Sequence, residues 1–239
     1  MNGKGQNMKK RLAILSAPPI SPEGLADLEP IWAGQAEVSL HSVLPDLSPA
    51  SVQPYAAREG EKALMLGLNS AAPTAISIDR LVSPLEKLLA RLEGRADFAF
   101  FSCAGDFPPL QTPLPLIQPN LVFRSMVKTL LHPRMKLGVV TPGAPQVGHV
   151  RASWLPYAAE AGLAATQLEV DWAPPSPEAA ARCARRLAAK NIDLLAVECL
   201  GFREPLRGLM AAELGKPVIL VRTVAAQLLR ELVGSAEAR

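Results

Sequence analysis

The chain has 239 residues, 49% of them hydrophobic and 20% charged, with 25 Lys and Arg against 22 Asp and Glu for a formal net charge of +3. Such a balance fits a soluble globular protein with a full core, built as one large domain or two small ones. Aromatic residues make up only 5% and alternate with no arginine-rich run, which argues against a nucleic-acid surface, and no stretch approaches the roughly 18 apolar residues of a membrane span.

The amino terminus imitates a secretion signal, with Met8-Lys9-Lys10-Arg11 ahead of Leu12-Ala13-Ile14-Leu15-Ser16-Ala17. Its apolar stretch of about four to six residues is shorter than the roughly 7–15 such a signal needs, and Pro18 and Pro19 stop it. Leu12–Ser16 is predicted as a first β-strand. An odd number of cysteines without a secretion signal predicts reduced thiols and a cytoplasmic location.

Ser21-Pro22-Glu23 reads as an N-cap with proline at the first helical position, followed by Leu25, Leu28, Ile31 and Trp32 at helical spacing and Gly34 as a stop. Glu37–Val43 alternates as a strand does. Ala63–Leu68 and Thr74–Ile78 are expected to form a short antiparallel excursion around Asn69-Ser70. Ser83-Pro84-Leu85-Glu86 has capping-box spacing, and Leu85, Leu88, Leu89 and Leu92 form an amphipathic stripe behind it. That helix is read as starting at the box or a turn or two earlier, near Ser77. Gly94 ends it, and the strand Asp97–Ser102 follows.

The second half repeats this alternation. Strands are expected at Lys136–Thr141, Ala164–Val170, Leu194–Glu198 and Pro217–Val221. Helices are expected near Gln146–Ala161, from the Ser176-Pro177-Glu178 cap to about Lys190, and near Pro205–Leu214 and Val224–Val233. Strands separated by helices imply right-handed crossovers and parallel sheets. The expected fold is therefore α/β, with two pseudo-duplicated parallel-sheet lobes and a site in the cleft between them. Residues 1–104 form the first lobe and 105–215 the second, while 216–239 supply a strand and helix that return to the first.

Two cysteines carry the functional signal. Asp97-Phe98-Ala99-Phe100-Phe101-Ser102-Cys103-Ala104-Gly105 and Asp193-Leu194-Leu195-Ala196-Val197-Glu198-Cys199-Leu200-Gly201 share one layout. Each is an aspartate, a mostly apolar run of buried-strand length, then cysteine, one spacer and glycine. Residues just past such strands line the ligand crevice of open α/β sheets. Thiols at both ends could flank one carbon, one removing a proton and the other delivering one. The rival reading makes each a buried small hydrophobe. Cys183, inside a helix among Arg182, Arg185 and Arg186, is read as structural. No C-x-x-C occurs, and His41, His132 and His149 show no ligand spacing, so no metal is expected. Neither a Walker A sequence nor G-x-G-x-x-G is present, and no cofactor is expected.

The other strand ends supply Ser16, Thr141 and Arg222, which converge near the cysteines in a parallel arrangement. Arg222 is placed either to pair with a substrate carboxylate or to stand solvated at a helix start. Main-chain amides around Ala104-Gly105 and Leu200-Gly201 would complete an anion site. Asp106 and Glu198 oppose that picture, and Glu198 should point away from Cys199 by strand alternation. The expected partner is a small carboxylate, with no nucleic acid and no membrane, and a homo-oligomer is compatible with this.

Phe101-Ser102-Cys103-Ala104-Gly105-Asp106-Phe107-Pro108 and Val197-Glu198-Cys199-Leu200-Gly201-Phe202 resemble the AroM family, within the aspartate/glutamate/hydantoin racemase superfamily. The likeness covers most of the chain, including the Lys136–Pro142 strand and the Lys216–Leu232 tail. It implies a two-lobed α/β fold with the site between lobes. The superfamily includes cofactor-independent two-cysteine racemases, maleate isomerases and single-cysteine decarboxylases, and carrying this over places an acid–base pair at Cys103 and Cys199. Racemases usually follow a catalytic cysteine with Asn-Thr or Thr-His, whereas here Ala104-Gly105 and Leu200-Gly201 follow. The aspartate-serine turn typical after the first strand is replaced by Ser16-Ala17-Pro18-Pro19. These departures point away from amino-acid substrates. They leave three readings: a racemase or isomerase, a single-cysteine decarboxylase or isomerase, and a ligand-binding or regulatory protein on the same fold.

Overall fold

The computed structural model describes residues 9–67 and 74–234. Its first half contains β1 (Lys10–Ser16), α1 (Pro22–Leu25), β2 (Ala36–Ser42), α2 (Pro49–Val52), β3 (Ala63–Leu66), β4 (Thr74–Ser77), α3 (Ile78–Ala90) and β5 (Phe98–Phe101). Then come β6 (Leu116–Ile117), α4 (Pro119–Leu130), β7 (Leu137–Thr141), α5 (Val147–Glu160) and β8 (Leu168–Trp172). The last elements are α6 (Pro177–Ala188), β9 (Leu194–Val197), α7 (Glu204–Leu214), β10 (Val218–Leu220) and α8 (Val221–Val233).

Two parallel four-stranded sheets result, in the orders β2-β1-β5-β6 and β10-β9-β7-β8. The orders superimpose when β1, β2, β5 and β6 are matched to β7, β8, β9 and β10, so the duplication expected from the cysteine segments is present. The aspartate opening each segment stitches its strand to the central one. Arg11 donates its amide to the Asp97 carboxylate (2.7 Å), and Lys136 does the same to Asp193 (2.9 Å). The aspartate amides return bonds to the Arg11 and Lys136 carbonyls, both at 2.8 Å.

β5 and β9 are buried along their whole length, because helices cover both faces of each sheet. Alternate side chains of β1 and β5 divide between two cores. Ala13, Leu15, Ala99 and Phe101 meet α3, whereas Leu12, Ile14, Phe98 and Phe100 meet α8 and the α1 region. In the second sheet Leu195 and Val197 face α6 and α7, while Val139 and Ala196 face α4 and α5. The helix following the first lobe's last strand therefore covers the second sheet, and the helix following the second lobe's last strand covers the first. This exchange ties the lobes together.

Several expectations need correction. The C-terminal strand β10 pairs with β9 in the second sheet, and only α8 returns to the first lobe. The first sheet extends beyond residue 104, because β6 pairs with β5. Of the two starts expected for the next helix the earlier one holds, because Ser77 is the N-cap of α3 (Ile78–Ala90) and Ser83 and Pro84 lie inside it. The buried stripe Ile78, Leu81, Leu85, Leu88 and Leu89 governs that helix, and the capping-box spacing is coincidental. After Ser21, whose hydroxyl accepts from the Gly24 amide at 3.1 Å, the helical-looking stripe breaks into α1 and a 3-10 turn at Glu29–Ile31. Residues 165–167 form a 3-10 turn, so β8 starts at Leu168. The antiparallel excursion is present as β3 and β4, although Asn69-Ser70 lies outside the described residues.

Gly138 sits in the central strand β7, where a Cβ would lie 2.4 Å from Ile192 Cδ1 and 3.1 Å from Leu195 Cδ1. Overpacking of this kind costs about 1–3 kcal/mol. Chemical denaturation of G138A should show a loss of that size, partly recovered in G138A/I192V, where the offending Cδ1 is removed. Equal stability of the parent and G138A would show that the strand has room to spare.

Candidate active site

β5 and β9 end in matching turns. Ser102 and Glu198 make the last bonds to the central strands, to Leu15 O (2.7 Å) and Val140 O (2.8 Å), so each cysteine is the first residue beyond its ladder. The chain then folds back, and the amide two residues on donates to the sulfur. Gly105 N lies 3.3 Å from Cys103 Sγ, and Gly201 N lies 3.4 Å from Cys199 Sγ. Glycine suits both positions for a packing reason. A Cβ on Gly105 would stand 3.2 Å from the Phe107 ring, and one on Gly201 would stand 3.1 Å from Pro175 Cγ. Each turn is anchored by a buried phenylalanine, Phe107 or Phe202.

Both cysteines open on one cleft of about 830 Å³, part of it continuous with solvent. Ala104, Gly105, Thr141, Leu200 and Gly201 also line it. Ser16 does not. The chain after β1 continues the ladder beside β2, with Val43 N donating to Ser16 O and Leu44 N to Ala17 O, and this carries Pro18 to the cleft instead. Arg222 is also outside it, bordering a separate hollow behind the Cys199 turn. Its guanidinium holds both Asp27 carboxylate oxygens and donates to Leu200 O and Gly24 O, each at 2.8 Å. Cys183 is fully buried between α6 and its neighbours, in keeping with its structural reading.

Burial dominates the electrostatics of the thiols. It pushes Cys103 up to about 12, against the pull of the Gly105 amide and with a further push from the charge on Cys199. It pushes Cys199 up to about 11, opposed by the amides of Gly201 and Phe202 and then by the Arg222 cation. The turn amides lower both values, yet desolvation outweighs them. Both thiols are therefore neutral at rest, and the Arg222 cation acts on Cys199.

The two nearby carboxylates are not free. Glu198 turns onto α4 and α5, where Arg124 Nε (2.6 Å) and Trp154 Nε1 (2.9 Å) donate to it. Arg124 Nη1 reaches Asp106 at 2.6 Å, and Asp106 also accepts from Ser153 and pairs with Lys62 at 2.9 Å. Asp106 is held below the usual carboxylate range by Arg124, Ser153 and Lys62, acting against its burial. Burial pushes the Glu198 carboxyl up, against Arg124 and Trp154. Arg124 was absent from the sequence reading because α4 itself was.

The remaining wall comes from the β3–β4 hairpin, whose Ala63, Leu64, Met65 and Leu66 line the cleft. Thr141 donates to Gln146 Oε1 (3.2 Å), and Gln146 Nε2 donates to Ala63 O (3.0 Å), so the second lobe holds the first lobe's hairpin in place. His149, which the sequence left without a role, lines the cleft from α5.

The AroM protein family matches residues 20–233. The chain belongs to that family. No curated protein matches it. Among solved structures, glutamate racemase from Francisella tularensis subsp. tularensis SCHU S4, in complex with D-glutamate, is similar at a TM-score of 0.56 and 12% identity, covering 94% of this chain and 81% of that one. Arylmalonate decarboxylase is similar at 0.56 and 14%, covering 96% and 95%. Allantoin racemase from Pseudomonas fluorescens is similar at 0.50 and 14%, covering 94% and 91%. At these identities the likeness concerns the fold.

In this AroM-family chain, removing Arg124 would leave the buried Glu198 without a counter-charge and Asp106 with only the half-exposed Lys62, a change that typically costs about 3–5 kcal/mol. R124M should unfold at correspondingly lower urea, and adding D106N and E198Q should recover most of the loss. Parent-like stability of R124M alone would show that solvent already neutralises the pair.

Proposed function

We propose that this protein is a cofactor-independent racemase or isomerase of small carboxylates, working by acid–base chemistry at Cys103 and Cys199. The observation that carries this reading is the equivalence of the two thiols. Each is the first residue past a matching buried strand, each accepts the amide two residues on, and both open on one cleft. In the forward direction the Cys199 thiolate takes the proton from the carbon next to the carboxylate and becomes a thiol. The Cys103 thiol then gives its proton to the opposite face of that carbon and becomes the thiolate. The charge that develops on the carboxylate oxygens requires donors, which main-chain amides at the strand ends and Lys62 at the mouth can supply.

The cleft also narrows the substrate. Its carboxylates, Asp106 and Glu198, are already paired with Arg124 and Lys62, which leaves neither to meet an ammonium group. Leu64, Met65, Leu66, Ile78 and Val150 offer an apolar wall. An acid bearing an alkyl or aryl substituent and no amine fits this lining better than an amino acid does. The cation held against the Cys199 turn, Arg222 on Leu200 O, favours a second reading, in which Cys199 alone is essential and the reaction is a decarboxylation or a covalent isomerisation. The similar folds carry racemases and a decarboxylase alike.

Deuterium wash-in from D₂O into a panel of 2-alkyl and 2-aryl carboxylic acids tests the proposal. Exchange should fall by about 100-fold or more in C103S and in C199S, the scale of one general acid or base. Full exchange in the double variant would remove the cysteines from the mechanism. Loss in C199S alone would select the single-cysteine reading, and binding without exchange of any acid would leave a ligand-binding protein.

The pH dependence follows from the raised thiols. The base works as thiolate, and because Cys199 lies near 11, the thiolate fraction grows as pH rises. The exchange rate should therefore climb about tenfold per unit between pH 7 and 9, the dependence of a base far below its pKa. A flat profile over that range would mean that substrate binding, or another group, delivers the base already ionised.

A further inference from the structure

We propose that Arg222 is a positioning residue for the Cys199 thiol, acting through the single peptide group that joins Leu200 to Gly201. A trans peptide is planar, with its carbonyl and its N–H on opposite edges. Here the carbonyl edge, Leu200 O, accepts from Arg222 Nη1 at 2.8 Å, while the N–H edge, Gly201 N, points at Cys199 Sγ at 3.4 Å. A cation on one edge therefore fixes the tilt of the plane and polarises the N–H toward the sulfur on the other. Arg222 is itself over-determined, because Asp27 holds its Nε and Nη2, and Gly24 O accepts from Nη2 at 2.8 Å. Asp27 and Gly24 belong to the first lobe, so the brace also ties the Cys199 turn to the opposite sheet.

The inference turns on an asymmetry. In the matching turn after β5, Gly105 N donates to Cys103 Sγ, but the described residues place no guanidinium on the Ala104 carbonyl. The duplicated turns thus differ in a buried cation, beside the second amide, that of Phe202, which acts on Cys199. Arg222 acts to lower the Cys199 thiol against its burial, and no cation acts so on Cys103 among the described residues. The other charged or titratable groups around this turn are Asp27 and Arg203 beyond Arg222, Glu198 with its Arg124, and Cys103.

The inference rests on Cys199 serving as the base, yet its test needs no turnover. Failure of the exchange assay and failure of this inference are therefore read separately. The full-length protein is alkylated with iodoacetamide across pH 7–10, and each cysteine is followed by mass spectrometry, with Cys103 as internal reference. In R222Q the Cys199 rate at a given pH should fall about 3–10-fold, as for an upward shift of half to one pKa unit, while the Cys103 rate stays within about twofold of the parent's. R222K should recover part of the loss. D27N, which keeps the guanidinium on Leu200 O and removes the neutralising carboxylate, should leave the Cys199 rate at or above that of the parent. An unchanged Cys199 profile in R222Q would overturn the proposal, as would an equal fall at both cysteines or a fall in D27N as large as that in R222Q. Should R222Q fail to fold, R222K and D27N decide the matter, because the proposal requires the first to slow Cys199 and the second not to.

Discussion

A guanidinium buried between two carboxylates is tolerated only where each charge answers another, and Arg124 meets that condition at the centre of this molecule. Asp106 lies three residues past Cys103, and Glu198 immediately precedes Cys199. By holding both at 2.6 Å, one side chain on α4 fixes the exits of two strands in two different sheets. Trp154 and Ser153 on α5 complete the set, and the Trp154 ring lies 5.8 Å from the guanidinium carbon. The spacing of the cysteine turns, and hence any chemistry that needs both, depends on this cluster. Under the proposed function it also resolves an apparent conflict, because two acids beside a carboxylate ligand would repel it unless their charge were already spent.

The duplication explains why such a brace is needed. Each sheet presents its own strand end, and nothing in a parallel ladder aligns one sheet with the other. The lobes are aligned by what they exchange. Helix α4 leaves the first sheet to cover the second, α8 leaves the second to cover the first, and the β3–β4 hairpin reaches across to Gln146. Arg222, at the start of α8, adds a polar tie between the Cys199 turn and α1. The halves are equivalent in topology and in the aspartate, cysteine and glycine of each segment. They differ in what surrounds the sulfur, since Arg222 holds the peptide beyond Cys199.

Much of this was legible in the sequence because it rests on local pattern. The apolar runs ahead of Cys103 and Cys199 have strand length, and the aspartate that opens each proves to be a ladder stitch, which explains its place in both. The misses share a physical cause. Helix α4 buries Asn120, Phe123, Arg124 and Val127 on one face, and a stripe with an asparagine and an arginine in it does not read as apolar. Pro119 at its first turn and the spacing of those four positions were the available signals, and a cation on a buried face is itself a sign of a partner elsewhere. β6 is too short to show any period. Arg222 was placed correctly at a strand end, but its partners Asp27 and Gly24 lie almost 200 positions away in sequence, and only tertiary structure could show that its donors were taken.

Under the proposed chemistry, burial acts on the cysteines in two opposed ways. It raises both thiols, so the reactive thiolate is scarce at neutral pH. The same low dielectric strengthens every interaction between a fixed donor and the charge that develops on the substrate. Donors already in place cost nothing to orient when that charge appears, whereas water would have to reorganise. The apolar hairpin wall sustains both effects, since it excludes solvent from the sulfurs and from the carbon they would flank. A wetter cleft would ionise Cys199 more readily and stabilise the enediolate less. Each sulfur meets this balance with the amide two residues on, and at Cys199 that amide belongs to the peptide whose other edge Arg222 holds.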